Sequence, residues 1–154
     1  MVHATTVVED IDILAKARKA VSEDYKPSDD EEYMSEKQQE FFRSLLKEWK
    51  NSILDAAKGT LRQLQDGPIQ EADMNDRASS ETEWGLELRT RDRQRKLVSK
   101  IDSALRRIDQ GEYGYCEVTG EPIGLGRLIA RPIATMSVEA QEQHERREKI
   151  SRDD

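Results

Sequence analysis

Two long stripes of apolar residues, separated by a short break, constrain the fold of this chain more than any other feature of its sequence. In the first stripe the spacing alternates between four and three residues, as in a heptad repeat: Phe42, Leu46, Trp49, Ile53, Ala56 and Thr60. This spacing is typical of a helix that packs along one side against a second helix. Ser35 and Gln38 form an S-x-x-Q capping box just ahead of the stripe, so we predict a long helix that begins near Ser35.

The second stripe predicts another long helix that runs back beside the first. The first helix should end at QDGPIQ, where Gly67 and Pro68 are strong terminators. The second should start between residues 76 and 80 and run to about residue 110. Its apolar positions are Trp84, Leu88, Val98, Ile101, Leu105 and Ile108, and its middle is interrupted by Arg91 and by Gln94 or Arg95. Two such helices predict an antiparallel coiled-coil hairpin with arms of roughly 45 Å.

The composition favours a projecting hairpin over a large compact core. Hydrophobic residues make up 35% of the 154 residues and charged residues 37%, which suits long amphipathic helices that need only a thin apolar stripe. We predict a mainly α fold in which a small globular domain carries the hairpin. Its expected parts are an N-terminal segment over residues 1–32, the hairpin over 33–110 with its tip at 67–79, and a turn-rich segment with a C-terminal helix over 111–154. A short helix is expected over 4–22, with an apolar face made by Val8, Ile11, Leu14 and Val21.

Charge and cysteine content exclude several classes of protein. The formal net charge of -7 argues against direct binding to DNA, which usually requires a basic excess. The single cysteine excludes an internal disulfide framework, and no run approaches the ~20 apolar residues of a membrane span. The N-terminus lacks the early positive charges and the long apolar segment of a signal peptide. A monomeric, cytoplasmic protein without membrane contact is therefore the expectation.

Three sequence motifs, in this order, resemble one bacterial family. They are DMNDRA at residues 73–78, LELRTRDRQRK at 86–96, and G-Y-C-x-x-x-G-x-x-I-G-x-x-R-L-x-A-R-P-x-A-T at 114–135. With them the chain is identified as a member of the DksA/TraR C4-type zinc-finger family over roughly residues 31–149. The resemblance implies a regulator that inserts its coiled coil into the secondary channel of RNA polymerase and does not bind DNA. It also implies joint action with the alarmone ppGpp, with repression of ribosomal RNA promoters and activation of some amino-acid biosynthesis promoters.

The resemblance implies two groups of site residues. The residues carried over at the hairpin tip, which would act on polymerase, are Asp73, Asp76, Arg77 and Ala78. The residues carried over for a ppGpp site formed jointly with polymerase are Arg93, Lys96, Leu97, Lys100 and Arg131. Arginine and lysine side chains supply forked donors and compact positive charge for phosphate oxygens. The family pattern has a lysine where this chain has Gln141, which removes one positive charge.

Other interpretations of these residues stay open. Asp73 and Asp76 could serve only as helix-start residues, where a carboxylate is favoured. The basic residues could form a solvated face, and for Arg89, Arg91 and Arg95 we prefer that interpretation. The alternative function is a coiled-coil adaptor or chaperone-like protein that kept the scaffold without control of polymerase. We expect no enzymatic activity, because the sequence offers no catalytic constellation.

The positions that hold zinc in a four-cysteine ribbon are Cys116, Thr119, Ser137 and Ala140 in this chain. Structural zinc requires four nitrogen or sulfur ligands, and His144 would still leave the site two ligands short. We therefore predict that zinc is absent and that no other cofactor is bound, ppGpp being an effector. Nothing in the sequence visibly lowers the pKa of Cys116, so we interpret it as a buried, small apolar residue, with a redox-sensitive thiol as the alternative. The expected core of this segment is Ile123, Leu125, Leu128, Ile129, Ile133 and Met136.

Overall fold

The computed structural model describes the backbone of residues 11–65 and 74–153 and the side chains of residues 12–59 and 81–151. These parts contain the helices α1 (Ile11–Val21), α2 (Glu36–Gln65), α3 (Met74–Gln110), α4 (Leu125–Ala130) and α5 (Val138–Asp153). α2 and α3 have 30 and 37 residues, which corresponds to about 45 and 55 Å. The mainly α fold with two long helices is therefore confirmed. No described helix is long and apolar enough to cross a membrane.

The helix boundaries differ from the prediction in several places. α1 is described only from Ile11, so the expected start at residue 4 and Val8 lie outside the described residues. α3 begins at Met74, before the predicted interval. The turn-rich segment contains α4, a helix of six residues. The sequence pattern did not predict this helix, because glycines and prolines surround it. α4 follows Gly124, whose φ of 106° is a conformation that glycine adopts without steric cost.

The hydrophobic core lies where α1, α2 and the base of α3 meet the turn-rich segment. The predicted stripe of α2 is buried at Phe42, Leu46, Trp49 and Ile53, and Phe41 and Leu45, which the stripe does not include, are buried beside it. Ile101, Ala104 and Ile108 of α3 and Leu125 and Leu128 of α4 complete this core. The buried face of α1 is rotated about the helix axis relative to the predicted one. Ile13 and Ala17 are buried, whereas the predicted residues Leu14 and Val21 are only partly buried.

The two helices of the hairpin are antiparallel and in heptad register. Arg43 Nη2 lies 3.1 Å from a carboxylate oxygen of Asp109, and Lys50 Nζ lies 2.7 Å from one of Asp102. A step of seven residues forward in α2 thus matches a step of seven residues back in α3.

Among the described side chains, the buried seam of the hairpin ends near Ile53 and Ile101. Further along α3, Leu88 is 50% exposed although the stripe predicts it to be packed. The physical reason is that two helices without a third layer leave seam residues open to solvent on both flanks. The part of the hairpin beyond this point projects from the body as an arm.

The linker before α2 fixes the base of this arm. The predicted capping box is confirmed in part, since the N–H of Gln38 donates to the hydroxyl of Ser35 at 3.3 Å. The buried side chain of Gln38 does not return to Ser35 but accepts from the N–H of Met34 at 2.8 Å. α2 therefore starts on a hydrogen-bonded and buried anchor.

Tyr33 ties the same linker to the turn-rich segment. Its hydroxyl donates to the carbonyl oxygen of Gly114 at 2.7 Å and accepts from the N–H of Gly124 at 3.1 Å. Gly114 has a φ of +90°, and a Cβ there would lie 3.0 Å from the side chain of Met34. Only glycine allows this close approach without strain.

Candidate functional site

A cleft of about 260 Å³ lies at the base of the arm, between α3, the loop after α4 and the start of α5. It brings together Lys100, Arg131 and Gln141, which the sequence places far apart. The other lining residues are Ser103, Ala104, Arg107, Tyr113, Arg127, Ile133, Ala134, Thr135 and Met136. Convergent cations in a partly polar concavity favour the binding of an anion with several oxygens.

Two arginines of the cleft hold the surrounding loops. Arg107 Nη2 donates to the carbonyl oxygens of Glu112 and Tyr115 at 3.3 and 3.0 Å. Arg127 Nε donates to the carbonyl oxygen of Met136 at 2.9 Å. Neither arginine is among the residues that the sequence predicts. A turn-rich segment leaves carbonyl groups without helix or sheet partners. Arginines in or beside such a segment were the sequence feature that could have predicted this binding of loop carbonyl groups.

Lys100 and Arg131 are the cleft cations whose side chains, among the described residues, form neither an ion pair nor a hydrogen bond, whereas Arg107 pairs with Glu117 at 3.8 Å and Arg127 is bonded to the carbonyl oxygen of Met136. Both residues are exposed, and neither forms an ion pair with any carboxylate of the described residues. An ammonium group offers compact positive charge, and a guanidinium group offers two parallel donors to phosphate oxygens. The pair can therefore hold an anion without first breaking an internal salt bridge.

Gln141 forms the α5 side of the cleft. Its backbone N–H donates to the carbonyl oxygen of Ser137 at 2.9 Å, in the first turn of the helix. Its side-chain amide nitrogen donates to a carboxylate oxygen of Glu145, one turn further on, at 3.1 Å. This side of the cleft thus carries a neutral amide joined to a carboxylate rather than a cation.

The other predicted effector-site residues do not line this cleft. Lys96 Nζ lies 3.3 Å from a carboxylate oxygen of Asp92 on the same helix. Arg93 borders a second, more open groove on the arm, whose other lining residues are Leu86, Leu88, Arg89 and Asp92. Leu97 is partly buried against the core. Of the five predicted residues, the structure joins only Lys100 and Arg131 in one cleft.

The predicted tip residues lie at the edge of the described chain. Asp73 is outside the described residues. Asp76, Arg77 and Ala78 belong to the first two turns of α3 (Met74–Gln110), but their side chains are outside the described part. The position of Asp76 in the first turn suits a carboxylate, because helix N-termini carry partial positive charge. The action of these residues on a partner stays a prediction.

Cys116 is buried as predicted, being 2% exposed, but the prediction that nothing lowers its pKa is wrong. Burial by itself raises the pKa of the thiol. Hydrogen bonds to the sulfur outweigh burial and lower the pKa to about 6. The donors are the Thr119 hydroxyl and the backbone N–H groups of Ser137, Thr119 and Val118. The turns around the sulfur supply these donors, and a sequence pattern does not reveal them.

The residues at the other three zinc-site positions have local roles. The Thr119 hydroxyl accepts from the N–H of Glu121 at 3.2 Å. The Ser137 hydroxyl accepts from the N–H of Ala140 at 3.2 Å and so caps α5. Ala140 is buried and has no donor atom in its side chain. One thiol and two hydroxyls do not fit the ligand set of structural zinc, and the described residues contain no group of three or more His, Cys, Asp or Glu that could hold a metal ion.

Hydrogen bonds join directly the two chain segments that a four-ligand metal site would cross-link. The N–H of Glu117 donates to the carbonyl oxygen of Thr135 at 2.8 Å, and the Thr135 hydroxyl donates to the Glu117 carboxylate at 3.3 Å. The Tyr113 hydroxyl donates to the carbonyl oxygen of Pro132 at 2.7 Å. Burial raises the pKa of Tyr113 well above its ordinary value, so this donor keeps its proton. Four of the six predicted core residues are only partly buried, with Leu125 and Leu128 buried.

The sequence matches the models of two protein-family domains. Residues 38–108 match "DnaK suppressor protein DksA, N-terminal domain", and residues 111–146 match "Prokaryotic dksA/traR C4-type zinc finger". The RNA polymerase-binding transcription factor DksA of Caulobacter vibrioides (strain NA1000 / CB15N) is 63% identical, over 85% of this chain and 92% of that protein. The protein of the same name from Escherichia coli (strain K12) is 42% identical, over 82% of this chain and 84% of its own length.

A solved structure has the same fold. Transcription factor DksA2 from Pseudomonas aeruginosa superimposes with a TM-score of 0.72 at 40% sequence identity. The superposition covers 86% of this chain and 98% of that one. The similarity is therefore not confined to the hairpin.

Proposed function

The chain belongs to the DksA family of DksA/TraR zinc-finger proteins, and on that premise we propose that it is a transcription regulator that binds RNA polymerase. The α2–α3 hairpin enters the secondary channel, and Asp73, Asp76, Arg77 and Ala78 at its tip act near the catalytic centre. The protein represses ribosomal RNA promoters and activates some amino-acid biosynthesis promoters. This role extends to the present chain what the names of its relatives state of them.

The observation that carries this proposal is the projecting arm. α3 is about 55 Å long and extends for more than twenty residues on the tip side of Ile101, the last buried seam position among its described side chains. An arm of two helices is narrow enough to enter a channel, and the cross-helix ion pairs at its base keep the two helices in register. A carboxylate that keeps its hydration until docking costs little to place on a projecting tip.

The effector proposed for this regulator is ppGpp, bound between the protein and polymerase. Lys100 and Arg131 supply the positive charge of the cleft, and polymerase supplies the surface that extends the site along α3 to Lys96, Leu97 and Arg93. The availability of both cleft cations supports this assignment. The open geometry of the cleft is consistent with a ligand that needs a second protein to enclose it.

We further propose that the protein works without zinc or another cofactor. The ligand set at Cys116, Thr119, Ser137 and Ala140 and the hydrogen bonds that join its two segments support this part of the proposal. Its relatives are named as transcription factors, and we propose that it likewise has no enzymatic activity. A monomeric state, a cytoplasmic location and the absence of direct DNA binding complete the proposal.

Transcription in vitro from a ribosomal RNA promoter tests the function. The wild-type protein should reduce transcript yield without ppGpp and reduce it further with ppGpp, whereas Asp76→Asn should lose most of both effects. Asp55→Asn is the matched control, because Asp55 is an exposed carboxylate on the arm, and it should behave as wild type. Equal inhibition by wild type and Asp76→Asn would contradict the tip assignment. Lack of inhibition by wild type would favour the adaptor alternative.

A further inference from the structure

Glu145 is tied to the wall of the cationic cleft through the side chain of Gln141. The Gln141 amide nitrogen lies 3.1 Å from a Glu145 carboxylate oxygen, and Gln141 lines the cleft together with Lys100 and Arg131. Glu145 is exposed and forms no ion pair with a cation of the described residues. Its negative charge is therefore not neutralised locally.

The neighbouring carboxylate on the same helix differs in this respect. A Glu142 carboxylate oxygen lies 3.6 Å from Arg146 Nη2, so part of its charge is balanced within the helix. Among the described residues its side chain forms no hydrogen bond to a residue that lines the cleft. Glu145 thus differs from Glu142 in its connection to the cleft, while the two share residue type, helix and exposure.

The Gln141–Glu145 contact affects an anion in the cleft in two ways. The Gln141 side-chain amide has two hydrogens, and the one that is donated to Glu145 is not free for a phosphate oxygen. The unpaired charge of Glu145 also repels a ligand with several negative charges, and the repulsion is only partly screened within a Debye length of roughly 8 Å. Lys100 and Arg131 attract the ligand while the α5 wall opposes it.

We infer that Gln141 and Glu145 together limit the affinity of this cleft for a polyphosphate effector. They raise the effector concentration at which the protein responds above the concentration that a cleft with only Lys100 and Arg131 would require. The pair lowers affinity through one hydrogen bond and through one carboxylate that forms no ion pair among the described residues. This inference rests on the proposed function, because it concerns the site at which ppGpp is proposed to act.

Binding of radiolabelled ppGpp to the complex of RNA polymerase and the full chain provides the test, with polymerase alone as background. Glu145→Gln should lower the dissociation constant about threefold, an estimate for removing one nearby screened charge. Gln141→Lys should lower it about tenfold by adding a charge-assisted contact. Because a lysine at 141 would itself pair with Glu145 one turn away, the double variant should bind more tightly than either single variant.

Glu142→Gln makes the same change in net charge and should leave the dissociation constant within about twofold of wild type. Inhibition of transcription without ppGpp should be equal for wild type and Glu142→Gln, since the Glu142 side chain is exposed and Glu142 lies on neither the arm nor the cleft wall. Unchanged ppGpp binding in both Glu145→Gln and Gln141→Lys, with binding to the wild-type complex intact, would overturn the inference alone. No binding above that of polymerase alone would instead overturn the proposed effector, and the inference with it.

Discussion

Lys50 Nζ and a carboxylate oxygen of Asp102 lie 2.7 Å apart across the hairpin, one heptad from the equivalent pair of Arg43 and Asp109. The two pairs fix the same alignment of α2 on α3, because a slip of the helices would separate both at once. The Lys50 and Asp102 side chains are about one third exposed, so solvent screens their attraction and the gain in stability is modest. Their main contribution is to fix the register of the two helices, and this register sets how far the tip would reach into the polymerase channel.

A double-mutant cycle on Lys50→Met and Asp102→Asn should give a coupling energy of about 0.5–1 kcal/mol. The free energies of unfolding would be measured by urea denaturation at low and high salt, and the coupling should shrink as salt rises. The pair of Lys96 and Asp92 lies within one helix, and its coupling energy should be smaller, about 0.3–0.5 kcal/mol. A coupling for Lys50 and Asp102 that is zero at low salt would contradict the role in register.

Ile53 and its neighbour Leu54 offer a matched test of which face of α2 the buried seam follows. Ile53 is 1% exposed and Leu54 is 41% exposed. Ile53→Ala should lower the free energy of unfolding by about 3 kcal/mol, because it removes buried methyl groups and leaves a cavity. Leu54→Ala should change it by less than about 0.5 kcal/mol. Both values come from the midpoints of urea denaturation, and equal losses would mean that the seam runs along a different face of α2.

The heptad spacing was sufficient to predict the hairpin, because the fold of a long amphipathic helix follows from residues three and four apart. The same local rule predicts that Leu88 is packed in the seam, but Leu88 is exposed. The reason is the absence of a third packed layer, which is a property of the tertiary structure and does not follow from local spacing. The local pattern also gives no sign of α4, whose start depends on the positive φ of Gly124.

The candidate site was predictable only where residue type alone carries the chemistry. Lys100 and Arg131 are cations in a matching family pattern, and the structure places both in one cleft. The roles of Arg107 and Arg127 depend on carbonyl groups that the fold brings beside them. The donors around Cys116 arise in the same way, from turns that return the chain to the sulfur.

The lowered pKa of Cys116 predicts a pH-dependent stability. The thiol has a pKa of about 6 in the folded chain against 9.0 for an unperturbed cysteine, so between these values the unfolded state binds more protons. The free energy of unfolding should therefore rise with pH between 6 and 9, by at most about 1.4 kcal/mol per pH unit. The stabilisation is fully present above pH 9 and is lost as the pH falls through 6.

Urea denaturation at a series of pH values, compared with Cys116→Ser, isolates this contribution, because a serine hydroxyl does not titrate in the range. The ultraviolet absorbance of the thiolate gives its pKa directly in the folded protein. Thr119→Val removes the hydroxyl donor and should raise that pKa. If the difference in stability between wild type and Cys116→Ser is constant from pH 6 to 9, the proposed thiolate is not present.

Chelation separates this chain from a variant with a restored metal site. The melting temperature of the wild-type protein should be unchanged by a strong chelator, because hydrogen bonds such as that between Glu117 and Thr135 already join the two segments. The triple variant with Thr119→Cys, Ser137→Cys and Ala140→Cys supplies four thiolates with Cys116. It should bind one zinc ion, and its melting temperature should fall when the ion is removed, since metal binding and folding are coupled. Metal analysis that finds one zinc ion in each wild-type chain would refute the proposal that the protein works without zinc, whereas a triple variant that binds no zinc would show that the backbone has closed around Cys116 in a form that no longer admits the ion.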